Sequence, residues 1–293
     1  MKTIVLIHGL WMTPHCWSGF RSYYRDKGYR VLAPGWPGMI GDVADVRHDP
    51  SAFAHVGLGE IAAHYEKFIH SIGTQPLLIG HSMGGLIVQM LLDRGLGTAG
   101  VSIDGTVPKG VYRLPLSVLK AASPVLSNPL NAWRNVTLTF EQFKYAFANV
   151  MTDDEAMTVY QQEVVPGPGR PVFQAALANM NPRSVCSVNH RNAERAPLLL
   201  ISADRDHLVP AVLNRINYKL YQRSTAVTAY KEFPDRSHLI IAQKGWQEVA
   251  QYALTWAEMN ARLTTVAPDR PDGVPCAPPA ILTALTHNRP LNA

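Results

Sequence analysis

The sequence predicts an α/β protein built on a mostly parallel sheet of about six strands, with a helical insertion interrupting it. Three observations carry that prediction. Apolar, β-branched runs alternate with amphipathic helical patterns over the first hundred residues. The alternation lapses between Val107 and Arg195 and then resumes. At one strand-to-helix junction stands Gly80-His81-Ser82-Met83-Gly84, a Gly-x-Ser-x-Gly pentapeptide in the one context that gives it mechanical meaning.

Thr3 to Ile7 is a continuous apolar run, the mark of a strand buried on both faces, and it ends in His8-Gly9-Leu10-Trp11. A helical pattern runs from Pro14 to about Gly28, a stop signal. Tyr29 to Ala33 reads as the next strand, broken by Pro34-Gly35-Trp36-Pro37-Gly38, and Gly41 to His55 reads as a loop. Ile61, Ala62, Tyr65, Phe68, Ile69 and Ile72 mark an amphipathic helix closed by Gly73. Pro76 introduces Leu77-Leu78-Ile79, and past Ser82 the residues Leu86, Ile87, Met90 and Leu91 recur at helical spacing. Ala99 to Ile103 is a further short strand.

From Val107 the spacing predicts short helices at 116–122, 140–151, 153–164 and 172–179, with no clear strand. Phe143, Tyr145, Phe147 and other large apolar residues are frequent here. An insertion after a strand's C-terminal end lies where open α/β folds bind ligands, so it reads as an apolar-lined lid. Leu198 to Ser202 restores the strand pattern, followed by Asp204-Arg205-Asp206-His207-Leu208-Val209-Pro210 and a helix to about Tyr221. Ala226 to Phe233 leads to His238, and Trp246, Val249, Ala250, Ala253 and Ala257 share one face of a last helix. The expected organisation is a core of residues 1–106 and 196–263, a lid of residues 107–195, and a Pro-rich disordered tail of residues 264–293.

Composition narrows the function. Apolar content of 47% supplies a core, and charged content of 17% is too low for a disordered chain. Net charge is +5, but the 27 basic residues are scattered, which argues against a nucleic-acid platform. Cys16, Cys186 and Cys276 are far apart and lack ligand spacing, so neither a disulfide framework nor a metal site is expected, and a reducing, cytoplasmic location is the default. No stretch is long enough to span a bilayer, and nothing specifies an oligomeric state.

The pentapeptide has a physical logic. Small residues flank Ser82 because the tight turn brings strand and helix backbones together and strains the residue between them. The turn lifts the Ser82 hydroxyl to the strand's C-terminal edge. It also leaves the Met83 backbone N–H at a helix N-terminus, facing the position of a developing oxyanion.

From Thr3 to about Leu263 the chain resembles the α/β-hydrolase superfamily. Four features in the expected order carry the likeness: the strand ending in His8-Gly9, the turn at Ser82, the strand before Asp206-His207-Leu208-Val209-Pro210, and the strand before His238. The sheet begins at the His-Gly strand, so the superfamily's usual first two strands are lacking. The resemblance implies Ser82 as nucleophile, His238 as general base and a carboxylate that orients the imidazole. Asp206 fits the acid position first, Asp204 is its near rival, and Asp104 matches an alternative acid position. The backbone N–H groups of Met83 and Leu10 are the expected oxyanion donors, with the Trp11 N–H as the adjacent alternative to Leu10 and Trp11 also expected beside the substrate.

The implied activity is cofactor-free hydrolysis of carboxylic esters, or thioesters, of a small hydrophobic molecule through an acyl-enzyme. The same triad serves carbon–carbon hydrolysis, cyanohydrin cleavage and perhydrolase chemistry, and a ligand-binding receptor on this fold is the rival of another class. Dehalogenase and epoxide hydrolase chemistry is disfavoured, since Ser82 stands where those enzymes carry Asp. His8 and His81 read as packing or hydrogen-bonding residues. His190 and His207 show no partner in the sequence, while His15 and Cys16 are placed to face the site, although Cys16 lacks the turn a nucleophile needs.

Overall fold

The computed structural model describes residues 2–265. The chain opens with β1 (Thr3–Ile7), a 3₁₀ turn at Pro14–Trp17, α1 (Ser18–Asp26) and β2 (Arg30–Leu32). It continues through α2 (Val43–His48), α3 (Leu58–Ile72), β3 (Leu77–His81), α4 (Met83–Asp93) and β4 (Ala99–Ile103). The insertion holds α5 (Leu116–Leu126), β5 (Asn135–Val136), α6 (Phe140–Phe147), α7 (Asp153–Glu163), β6 (Gly167–Pro168) and α8 (Arg170–Ala176). The chain then returns through β7 (Leu198–Ala203), α9 (Ala211–Tyr221), β8 (Thr228–Phe233) and α10 (Trp246–Thr265).

Six strands form one parallel sheet in the order β2-β1-β3-β4-β7-β8. Every residue of β1, β3, β4 and β7 is buried, because helices cover both faces; this is why those strands read as unbroken apolar runs. The edge strand β8 is half-buried along most of its length. The four inner strands end at one rim, from which the loops after β1, β3, β4 and β7 emerge.

Two elements depart from the expected pattern. The 41–55 stretch, expected as a loop, contains α2, which is held by a capping box rather than by apolar periodicity. Asp42 accepts from the backbone N–H groups of Ala44 and Asp45 at 2.8 and 3.0 Å, and the Asp45 carboxylate accepts from the Asp42 N–H at 2.9 Å. The insertion, expected to lack strands, contains the antiparallel pair β5–β6. A ladder of two residues, one strand of it Gly-Pro, has no periodicity to display.

The helix expected at 116–122 runs on through Pro124 to Leu126. Pro124 has no N–H for the Lys120 carbonyl, but the Ser123 hydroxyl donates to that carbonyl at 2.8 Å instead. Large side chains of the insertion, among them Phe143, Phe147 and Leu138, belong to the same buried cluster as the sheet strands. The insertion therefore packs on the core instead of around a centre of its own. The Pro-rich tail expected beyond residue 263 lies outside the described residues, apart from the end of α10.

The backbones of β1, β3 and α4 approach closely. A Cβ on Gly84 would overlap the Ile7 carbonyl, and one on Gly80 would overlap the Gly84 carbonyl. Neither obstacle is a side chain that can swing away. Gly84→Ala is expected to cost about 3 kcal/mol or more of stability, the upper range for overpacking a rigid site. Urea denaturation checks this, and an unchanged midpoint would mean that the helix can shift away from β1 freely.

Candidate active site

The site grows from the turn between β3 and α4. Ser82 takes φ 56° and ψ −121°, a conformation that a side-chain-bearing residue holds only when its surroundings impose it. The imposing surroundings are backbone. The Ser82 N–H donates to the Ile103 carbonyl at 3.0 Å, and its carbonyl accepts from Gly85 and Thr106 at 2.9 and 3.0 Å. Gly9 closes over it: a Cβ there would lie 2.7 Å from the Ser82 Cβ and 3.3 Å from its Oγ.

His238 and Asp206, thirty-two residues apart, meet at this rim. The His238 Nδ1–H donates to Asp206 Oδ2 at 2.6 Å, with both side chains fully buried. Asp206 Oδ1 accepts from the backbone N–H groups of Leu208 and Val209 at 2.7 and 2.8 Å, which fixes the carboxylate's orientation. With Nδ1 committed as a donor, His238 Nε2 carries the lone pair; it is buried and has no hydrogen-bond partner among the described residues. Asp204 points elsewhere, accepting from the Arg236 N–H at 3.3 Å and pairing with Arg205 at 3.5 Å.

Asp104, at the end of β4, also lies in this cluster, with φ 43° and no exposure. Its Oδ1 accepts from the Ala203 N–H at 2.6 Å, while Oδ2 is buried without a partner. Burial, reinforced by the neighbouring Asp206, pushes this carboxyl well above the usual carboxylate range, which favours its neutral form. His81 is its neutral neighbour. Burial, with His238 alongside, holds that imidazole well below its ordinary range, and its Nε2–H donates to the His238 carbonyl at 2.7 Å. His81, Asp104 and His238 bring possible metal-donor atoms within 4.8 Å of one another. Each imidazole has one nitrogen committed, His81 Nε2 to a carbonyl and His238 Nδ1 to Asp206, while His81 Nδ1, Asp104 Oδ2 and His238 Nε2 are buried without a partner among the described residues.

The loop after β1 faces Ser82. Neither the Leu10 N–H nor the Met83 N–H donates to an acceptor among the described residues. Trp11 takes φ 62°; its indole N–H donates to the Val136 carbonyl at 2.9 Å, and its own carbonyl accepts from the Val165 N–H at 3.0 Å. The insertion is thus stitched to this loop. It is stitched to the other two as well. The Phe147 ring meets His238 edge-on at 4.9 Å, and its carbonyl accepts from the Leu239 N–H at 3.0 Å. His207 Nδ1 donates to the Tyr145 carbonyl at 2.9 Å, and Asn149 donates to the Arg205 carbonyl at 2.9 Å. Phe147 and Asn149 carry no signal in the sequence beyond apolar or polar character in the insertion.

The remaining candidates lie apart from this chemistry. His8 is stacked on Trp36 at 5.2 Å, and burial pushes its imidazole down to about 4. His15 pairs with Glu163 at 2.7 Å on the surface, and His190 bonds to Asn217 at 3.3 Å. Cys16 is buried, and that burial pushes its thiol well above its ordinary range, away from thiolate.

A model of the alpha/beta hydrolase family matches residues 4–252. A pyrethroid hydrolase of Sphingobium wenxiniae is 24% identical, over 92% of this chain and 94% of its own. Among solved structures, an extracellular alpha/beta-hydrolase from a Paenibacillus species aligns with a TM-score of 0.64 at 19% identity, covering 88% of this chain and 99% of that one. The monoacylglycerol lipase of Paleococcus ferrophilus aligns at 0.58 and 21% identity, covering 89% and 94%. No helix among the described residues is long and apolar enough to cross a membrane.

The upward shift of the Asp104 carboxyl has a measurable consequence. A raised native pKa means that the folded state keeps a proton the unfolded chain has released above about pH 4, so the side chain costs stability as pH rises. Asp104→Asn, isosteric and neutral, removes that cost. Its stability relative to the parent is expected to grow with pH by up to about 1.4 kcal/mol per unit above about pH 4, where the unfolded carboxyl has released its proton. Denaturation at a series of pH values reads this, and a constant difference would show that Asp104 is ionised throughout.

Proposed function

The chain belongs to the alpha/beta hydrolase family, and from that membership we propose that it hydrolyses carboxylic esters of a hydrophobic small molecule through an acyl-enzyme on Ser82. The observation that carries this reading is the buried His238–Asp206 pair at 2.6 Å beside a backbone-strained serine. An imidazole held by an anion at Nδ1 and bare at Nε2 is the base that a serine hydroxyl requires. Ester hydrolysis is supported further by relatives named as a pyrethroid hydrolase and a monoacylglycerol lipase.

In the proposed sequence, Ser82 Oγ attacks the ester carbonyl while His238 Nε2 takes its proton. Asp206 keeps the imidazole in the Nδ1–H tautomer and stabilises the imidazolium. The carbonyl oxygen, now negative, moves between the N–H groups of Leu10 and Met83, each such donor contributing about 3 kcal/mol to the barrier's reduction. His238 then gives its proton to the departing alkoxide. Water enters, loses a proton to the same nitrogen and releases the acid. No cofactor takes part.

Residues 107–195 act as a lid on the core of residues 1–106 and 196–263. Ser82 is only 3% exposed and His238 not at all, so substrate entry requires part of that insertion to withdraw. Trp11 and Phe147 supply an apolar wall, which favours an uncharged acyl or alcohol group.

Ser82→Ala and His238→Ala are each expected to lower kcat/KM toward p-nitrophenyl esters by about four orders of magnitude, with the fold intact. A fluorophosphonate probe labels the parent and spares Ser82→Ala. Asp206→Asn is expected to lose on the order of 10⁴-fold in kcat by disturbing the imidazole tautomer, while Asp204→Asn stays near the parent. A Ser82→Ala variant that keeps most of its turnover would remove the proposal, and the opposite ranking of the two aspartates would replace the acid.

A further inference from the structure

The insertion carries an exposed surface that hydrolysis does not use. From Gly105 to Phe140 the chain has Lys109, Arg113, Lys120 and Arg134 and not one Asp or Glu. Within the same stretch Tyr112, Leu114, Leu116, Leu119, Leu130 and Trp133 are 44–83% exposed. Large apolar side chains scattered singly are ordinary, but six within so short a segment are not.

These residues are organised. On α5, Leu116, Leu119, Lys120 and Ser123 are exposed along one stripe, while Ala121, Ala122 and Val125 face inward. The 3₁₀ turn at Pro129–Trp133 folds back on the end of that helix, where the Asn131 amide donates to the Val125 carbonyl at 2.9 Å. Leu130 and Trp133 ride on this turn. The cations among them are not neutralised: Arg113 and Arg134 have no carboxylate partner among the described residues, and the Lys120 ammonium sits 4.0 Å over the Tyr145 ring.

We propose that this face of the insertion docks on the surface of an anionic phospholipid bilayer. Leu116 and Trp133 would enter the headgroup region, and Arg113, Lys120 and Arg134 would meet lipid phosphates. An amphipathic helix with apolar residues, a flanking Trp and only positive charge is the chemistry such a surface selects. A second copy of the chain fits poorly, since a two-fold contact would bring Arg113, Lys120 and Arg134 of both copies together. Docking also has a spatial sense: α5 packs on α6, whose Phe147 rests against His238, so a membrane-bound face would lie one helix from the buried site. The proposal rests on this surface and not on the hydrolytic assignment.

The test is sedimentation of the full chain with vesicles of phosphatidylcholine, alone or mixed with phosphatidylglycerol. The parent is expected to bind the mixed vesicles at least about tenfold more tightly than the neutral ones, and to be released by high salt. Leu116→Glu combined with Trp133→Glu, and separately Arg113→Gln combined with Arg134→Gln, are each expected to lose about tenfold or more, with unfolding midpoints at the parent's value. Failure of the parent to sediment with mixed vesicles would overturn the proposal. So would equal binding by the Glu variant, or a concentration-dependent dimer that the Glu variant dissolves, which would assign the face to a second copy. Turnover of a short soluble ester stays outside this test, so loss of the hydrolytic reading leaves it standing.

Discussion

The structure depends on a backbone collision avoided. β1, β3 and α4 approach so closely that Gly80 and Gly84 each face a carbonyl where a side chain would begin. At that distance the chain can leave β3 and enter α4 only by a turn that forces Ser82 to positive φ. The strain is sustained because the surrounding elements are well anchored: each of the three is fully buried or nearly so, and the Ser82 backbone is hydrogen-bonded to the end of β4 and the loop after it. Packing and chemistry are therefore coupled at one residue, since the approach that makes the core dense also projects the hydroxyl to the rim.

The same rim gathers the ionisable groups, and burial decides what each can be. Two carboxyls, Asp104 and Asp206, lie close together out of water, and they are distinguished by what they accept. Asp206 takes two backbone N–H groups on one oxygen and the His238 ring on the other, so both of its oxygens are satisfied. Asp104 takes one backbone N–H and leaves an oxygen bare, an arrangement suited to a neutral acid. His81 is held neutral and anchors the main chain of His238 rather than competing with it.

The insertion has two faces with different tasks. Its inner side joins the loops after β1, β7 and β8 through Trp11, His207 and Leu239, so the three loops are held in register by one set of helices. Its outer side is apolar and cationic. A segment that grips the site on one side and bears an unsatisfied surface on the other is the natural place for events outside the protein to reach the site within.

How much of this was legible in the residues follows from the range of the forces. Periodicity and glycine placement are local, so the buried strands, the Ser82 turn and the carboxylate and imidazole at strand ends are all written in short windows around Thr3, Leu77, Leu198 and Thr228. Short elements held by capping or by partners far along the chain are not: α2 hides in a capping box, and β5 pairs with β6 across thirty residues without a pattern of its own. The sequence by itself determined the sheet, the order of the site residues and the family. Only the tertiary structure decided that Asp206 rather than Asp204 meets His238, that Asp104 sits buried beside them, and that Phe147 closes the cluster, because those choices turn on side-chain direction and shared burial between segments that no local window contains.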